Sequence, residues 1–200
     1  MRWKIAQWFE QRWWKSYLAD KNLQDYLDWK SFIAELHLQH PNRRGILDTG
    51  CRQAGIFTVL SDNEFLATDP LLNQYAQQLQ HSNKADYPWI NFEQKTIEEI
   101  NFNETFDLVF CLNVINHVKN LDRYYDNLIS AAKTGGKLIF SVDSHNFTVP
   151  KLLFRLLPLD IIYPRQYELN EYQRHFTERD LKILRSTKIK SSFLFDYYAL

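Results

Sequence analysis

The sequence predicts an α/β fold: a doubly wound, mainly parallel sheet with an N-terminal helical aromatic extension and an insertion after the fifth strand. Three observations predict it. Strand-like and helix-like segments alternate from residue 45 to residue 143, and parallel strands need such crossovers. The run Phe106-Asp-Leu-Val-Phe-Cys-Leu112 is apolar almost throughout, as expected of a strand buried on both faces. Glycine is scarce, at five residues, and clustered: Gly45, Gly50 and Gly55 flank one short apolar run, and Gly135 and Gly136 open another. A glycine-poor chain keeps glycine where backbone geometry demands it.

Each element follows in order. Residues 2–38 read as helix, with Ile5, Trp8, Phe9, Trp13, Tyr17 and Leu18 at helical spacing and Tyr26, Trp29, Phe32, Ile33 and Leu36 repeating it after a polar break. Pro41 and Asn42 end that segment. Gly45-Ile-Leu-Asp-Thr-Gly50 reads as a short buried strand, and Gly55-Ile-Phe-Thr-Val-Leu60 as the start of the next helix. Glu64 to Asp69 is a second strand, ended by Pro70. Leu71, Leu72, Tyr75 and Leu79 mark a helix, and Trp89 to Phe92 a weaker strand. Leu121, Tyr125, Leu128, Ile129 and Ala132 mark a helix stopped by Gly135, and Lys137 to Asp143 is the fifth strand. Beyond it, Pro150, Pro158 and Pro164 surround the apolar run 152–157, read as an insertion over the sheet edge. Thr177-Glu-Arg-Asp180 reads as a helix start with Thr177 as N-cap. Residues 189–198 read as one final strand, which leaves that sheet edge short.

The chain of 200 residues is expected to form a single domain. Its parts are a helical N-terminal lid over 1–40, a cofactor-binding core over 43–143, a lid and substrate insertion over 144–176, and a C-terminal helix and strand over 177–200. Apolar residues make up 45% and charged residues 24%, which excludes wholesale disorder. Twenty-four basic residues balance twenty-four acidic ones, so no net field argues for a nucleic-acid partner. Two cysteines make neither a disulfide scaffold nor a zinc spacing, so metal is not expected. Cys51 and Cys111 read as buried small residues, neighbours on adjacent strands. The first ten residues are too charged for a secretory leader, and no run approaches the ~18 apolar residues of a spanning helix. A cytoplasmic protein is the expectation.

Ligands of doubly wound sheets sit beyond the carboxyl ends of the strands. Here that edge carries the turn Asp48-Thr-Gly50-Cys-Arg52-Gln-Ala-Gly55, and the second strand ends at Asp69. Asp69 follows the first glycine by about 20 residues, the usual reach to a pair of ribose hydroxyls. A carboxylate suits that task because it accepts two hydrogen bonds at once. The pattern predicts a nucleoside-type cofactor.

Four ordered motifs carry a family resemblance: Asp48-x-Gly50-Cys51, Asp69-Pro70, Phe106-Asp-Leu-Val-Phe followed by Asn113-Val-Ile-Asn-His117-Val, and Gly135-Gly-Lys-Leu-Ile. Over residues 43–143 the chain resembles the class I S-adenosylmethionine-dependent methyltransferases, which have a Rossmann-like fold. The resemblance implies that Asp48 and the backbone around Gly50 and Cys51 hold the methionine end of the cofactor S-adenosylmethionine. It implies that Asp69, with Pro70 beside it, holds the ribose, and that Thr96 and Ile97 border the adenine. Leu112 and Asn113 would lie beside the methyl-bearing sulfur. Two positions depart from the family pattern. Arg52 replaces a second glycine, where it would either block the cofactor or pair with its carboxylate. Thr96 stands where an acidic residue is common.

Methyl transfer is a displacement at carbon, and its catalysis is mostly positioning. A base is needed when the acceptor is a hydroxyl or a protonated amine. His117, Asp143 and His145 are the acid–base candidates near the carboxyl edge. Each also has a plainer reading as a loop anchor or cap. Tyr163, Tyr167 and Tyr172 are candidate substrate-pocket residues. The expected function is methyl transfer to oxygen or nitrogen of a small hydrophobic or aromatic acceptor. Two rival functions stand beside it. One is a binding or regulatory module that has lost the cofactor, motivated by Arg52 and Thr96. The other is a NAD(P)-dependent oxidoreductase, because Gly50-x-Arg52-x-x-Gly55 is also a damaged dinucleotide fingerprint. The aromatic stripe of residues 3–29 reads first as core; contact with an anionic membrane surface and a homodimer interface are its other readings.

Overall fold

The computed structural model describes residues 8, 29–36, 44–52, 55–60, 63–78, 84–145, 167–191 and 195–200. Most of the expected lid over 1–40 and of the insertion over 144–176, with Tyr163, lies outside them. Seven strands form one sheet: β1 Gly45–Thr49, β2 Glu64–Thr68, β3 Ile90–Glu93, β4 Phe106–Leu112, β5 Ala132–His145, β6 Thr187–Ser191 and β7 Phe195–Ala199. Their order is β3-β2-β1-β4-β5-β7-β6. The first five run parallel, and β7 joins β5 and β6 antiparallel. The sheet reverses direction of growth at β1, whose neighbours are β2 and β4. That reversal opens a crevice at the carboxyl edge.

The alternation of side chains along the strands builds two core layers. Leu47, Val109 and Cys111 enter one layer; Ile46, Leu108 and Phe110 enter the other. Both layers are buried, which explains the continuous apolar reading of β4. The first layer is closed by α3, Leu121–Ala131, and α4, Leu169–Thr177. Tyr124, Tyr125 and Leu128 of α3 pack there with Tyr172 and Phe176 of α4. The second layer is covered by α1, Trp29–Glu35, which buries Phe32 and Ile33, and by Leu72 of α2, Leu72–Gln78. In α1 the apolar spacing is therefore core.

Five expectations change. The segment 55–60 forms only a short 3-10 turn, Ile56–Thr58. Ile56 and Phe57 are buried, so the apolar signal was correct but reports core anchoring rather than a helix. Thr177 does not start a helix; it ends α4, and its hydroxyl donates back to the Arg174 carbonyl at 3.1 Å. The turn that follows is a C-terminal cap. Asp180 adopts φ +58 and its N–H bonds the Thr177 carbonyl, while the Leu181 N–H bonds the Phe176 carbonyl. This is the Schellman arrangement, with Asp180 in the place usually held by glycine. Residues 189–198 are not one strand: β6 and β7 pair as a hairpin and complete the sheet edge. β6 is the outer strand, and exposed Lys188 and Lys190 discourage further strand pairing there. Finally, Cys51 and Cys111 belong to different core layers, so they are buried free thiols but not neighbours. Helix α3 also stops at Ala131, before Gly135, because residue 132 already pairs with Phe106 of β4.

Candidate functional site

A cleft opens at the carboxyl edge, between the loops after β1, β2, β3 and β4. Gly50, Arg52, Asp69, Pro70, Thr96, Ile97, Asn113 and His117 all line it. Eight of the residues expected at a cofactor or catalytic position thus share one wall system.

The loop after β1 is hooked onto the end of β2. The Gly50 and Cys51 N–H groups donate to the Thr68 carbonyl at 2.6 and 3.1 Å. Gly50 adopts φ +66, and a Cβ there would run into the Val114 side chain. Glycine is therefore required for both backbone and space. Arg52 adopts φ +55, a left-handed conformation unfavourable for a residue that carries a Cβ. Its N–H donates to Asp69 Oδ2 at 3.1 Å, and its Nη2 donates to the Asn113 carbonyl at 3.0 Å. The side chain thus spans from the β1 loop to the end of β4.

Asp69 is buried, and its other oxygen accepts the Leu71 N–H at 2.7 Å. Asp48 is buried too, and it is not among the residues that line the cavity. Its Oδ2 accepts the Ile56 N–H at 2.9 Å and fills the space a Cβ on Gly55 would need. Burial pushes the Asp48 carboxyl up to about 7 against the Ile56 hydrogen bond; the nearby Asp69 charge adds to the rise and Arg52 opposes it. Cys51 and Leu112 are likewise buried in the core and do not line the cavity.

The outer wall is a pair of joined turns. Thr96 donates its N–H to Glu99 Oε2 at 2.8 Å and opens the 3-10 turn Ile97–Glu99. Glu98 Oε1 accepts the Lys119 and Asn120 N–H groups at 2.9 and 3.2 Å. Asn127 Nδ2 donates to the Ile97 carbonyl at 2.7 Å. These bonds tie the segment after β3 to the segment carrying His117. Asn113 adopts φ +56 at the end of β4, and its Oδ1 is buried with no hydrogen-bond partner among the described residues. Asn116 is buried and accepts the Tyr172 hydroxyl at 2.5 Å.

The other candidates lie elsewhere. Asp143 sits on β5 opposite Tyr197 and does not line the cavity; its charge helps burial push the Tyr172 hydroxyl up. His145 is the last residue of β5, paired with Phe195, and its side chain lies outside the described residues. Tyr172 is fully buried in the core under α4, so its expected place in the substrate pocket is not where the fold puts it. Tyr167 packs edge-on against Tyr172, with ring centroids 5.3 Å apart. Of the two acid–base candidates whose side chains are described, His117 lines the cavity and Asp143 does not.

Sequence reasoning missed Tyr124, which forms part of the cavity floor. Its hydroxyl lies 2.5 Å from Cys111 Sγ and 3.4 Å from Thr49 Oγ1. Burial pushes the Cys111 thiol up to about 12, so it is a neutral packing group. The spacing Leu121, Tyr124, Leu128 carried the signal for Tyr124, because it repeats the i, i+3, i+4 stripe of α3. Among the described residues no cluster of His, Cys, Asp or Glu could hold a metal ion, and no helix is long and apolar enough to cross a membrane.

Comparison with known proteins agrees with this geometry. The family described as "Methyltransferase domain" matches residues 47–140. A Rickettsia typhi protein named ubiquinone biosynthesis O-methyltransferase is 32% identical over 130 residues, covering 64% of this chain and 52% of that protein. The chain spans about half the length of such curated relatives. A Leishmania major S-adenosylmethionine-dependent methyltransferase superposes with TM-score 0.72 at 13% identity, over 99% of this chain and 81% of that one. A Haemonchus contortus phosphoethanolamine N-methyltransferase, solved with S-adenosylhomocysteine, gives TM-score 0.60 at 15% identity over 80% of this chain and 39% of that one. At such identities the two structures speak for the fold alone. Residues 47–140, from β1 to β5, are thus similar to methyltransferase domains in sequence, and the chain shares the fold of solved S-adenosylmethionine-dependent methyltransferases.

Proposed function

We propose that the chain transfers a methyl group from S-adenosylmethionine to an oxygen of a small hydrophobic or aromatic acceptor. The observation that carries the reading is the convergence of Gly50, Asp69, Asn113 and His117 on one cavity at the sheet's switch point. The residues present fit the cofactor. Gly50 and Asp69 line the cavity, and the Asn113 Oδ1 is a buried acceptor awaiting a donor.

S-adenosylmethionine, when bound, supplies a methyl group on a positively charged sulfur, open to displacement by a lone pair. In this reading Asp69 accepts the ribose hydroxyls, held in place by its bonds to the Arg52 and Leu71 N–H groups. Thr96 and Ile97 flank the base, and the bonds from Glu98 to the 119–120 backbone keep that wall fixed. His117 takes the proton from the acceptor hydroxyl as its oxygen attacks. The choice of oxygen follows the name of the Rickettsia relative. Acceptor selection is assigned to the segments 1–40 and 144–176. A cytoplasmic setting suits two buried free thiols.

The test is methyl transfer from methyl-labelled S-adenosylmethionine to a panel of phenols, hydrophobic alcohols and amines. Label on phenols or alcohols is the expected result. Label on amines alone would overturn the choice of oxygen, and label on nothing, with the cofactor bound, would favour a binding module.

A further inference from the structure

The turn that carries His117 is held at both ends. Ile115–His117 is a single 3-10 turn, closed by the His117 N–H on the Val114 carbonyl at 2.8 Å. Ile115 and Asn116 are buried, whereas His117 is half-buried and lines the cavity. Beyond the turn, Glu98 Oε1 accepts the Lys119 and Asn120 N–H groups. Within it, the tether is the bond from the Tyr172 hydroxyl to Asn116 Oδ1. Asn116 precedes His117 in the chain, and Tyr172 reaches it from α4, 56 residues on.

Packing alone does not call for that bond. Tyr172 belongs to a core layer with Ile115, Tyr125, Phe140 and Phe176. Replacing both partners of a buried hydrogen bond by apolar groups of similar shape is nearly neutral for stability. What the polar pair adds is direction, because a hydrogen bond weakens steeply off its line. The donor is itself fixed. Tyr167 meets the Tyr172 ring edge-on, with centroids 5.3 Å apart, and the helix start is locked by the mutual bonds of Glu168 and Glu171. Burial, with the Asp143 charge adding to it, pushes the Tyr172 hydroxyl up, so it remains a donor.

We propose that Tyr172, acting through Asn116, is a positioning residue for His117: the buried bond sets the rotation of the turn, and so the angle at which the imidazole meets the acceptor hydroxyl. This rests on the reading of His117 as the base. A displacement of about 1 Å at a reacting group costs on the order of 100-fold in rate.

The experiment compares methyl transfer to phenol and to pentafluorophenol, whose hydroxyl is already ionised at neutral pH and needs no base. Urea unfolding and S-adenosylhomocysteine titration are run on the same proteins. Tyr172→Phe should lower kcat on phenol by roughly 10- to 100-fold, less than His117→Ala because Glu98 still holds the segment. Its S-adenosylhomocysteine affinity should stay within about twofold. The double variant Tyr172→Phe with Asn116→Leu removes both polar partners. It should regain the stability lost in Tyr172→Phe and none of the rate. On pentafluorophenol both variants should match the unaltered chain. NMR of the histidine rings reads the same effect without turnover: the His117 signals, assigned with His117→Ala, should shift or broaden in both variants. Rate regained together with stability, equal losses on the two phenols, or unmoved His117 signals would overturn the proposal and leave the bond a structural tie. Full activity of His117→Ala on phenol, or no label on either phenol from the unaltered chain, would overturn the base reading itself and this proposal with it.

Discussion

Asp48 accepts the Ile56 N–H at 2.9 Å directly under the bare Cα of Gly55. That bond makes the acid of the first motif a support for the loop after β1. Burial raises its carboxyl to about 7, from an ordinary value of 3.8. Between those values the folded chain holds a proton that the unfolded chain has released. Stability therefore falls as pH rises through this window, and the full penalty is present above about 7. Urea unfolding from pH 5 to pH 8 should show this decline, on the order of a few kcal/mol at about 1.4 kcal/mol per unit. Asp48→Asn keeps an acceptor for Ile56 and should flatten it. An unchanged slope in Asp48→Asn would contradict the assignment.

Asp69 has two duties, and its variants should separate them. Its carboxylate anchors the Arg52 and Leu71 N–H groups at 3.1 and 2.7 Å. Asp69→Ala should lose cofactor binding and also cost roughly 1–3 kcal/mol, because two N–H donors lose their acceptor. Asp69→Asn should recover part of the stability but little of the affinity, since its amide keeps one acceptor oxygen for a loop N–H and its nitrogen cannot accept. Equal recovery of both would show that the carboxylate acts only on the loop.

The Tyr172 hydroxyl donates to buried Asn116 at 2.5 Å, joining α4 to the segment that carries His117. Tyr172→Phe leaves that acceptor unmet and should destabilise the chain by roughly 1–3 kcal/mol in chemical unfolding. A substrate-pocket tyrosine would behave differently: its loss would raise the acceptor KM and leave stability alone.

His117 is expected to act on the acceptor and not on the cofactor. His117→Ala should lower kcat by roughly 10²- to 10⁴-fold, with S-adenosylhomocysteine affinity preserved. A loss confined to affinity would make it a wall residue instead.

The core of the fold was legible because its signals are local and redundant. β1, β2 and β4 each combine an apolar run with a turn residue at the carboxyl end. The same signals led to Gly50, Asp69 and Asn113, which the fold brings to one cavity. Orientation was not legible. Asp48 and Leu112 have the right chain position but are buried and do not line the cavity. Tyr172 lies in a helix whose start is marked by Glu168 and Glu171, three residues apart, rather than by a serine or threonine cap. Thr177 looks like an N-cap in sequence because threonine bonds local backbone at either end of a helix; only the burial of Phe176 decides which end it occupies. The β6–β7 hairpin has no glycine, proline or asparagine between its strands, so it read as one strand.

The most direct measurement is calorimetric titration of the purified chain with S-adenosylmethionine and S-adenosylhomocysteine, with NADH as control. Micromolar binding of both sulfur ligands and none of NADH is the predicted result. Binding of NADH, or of no ligand at all, would contradict a methyltransferase site at the carboxyl edge of this sheet.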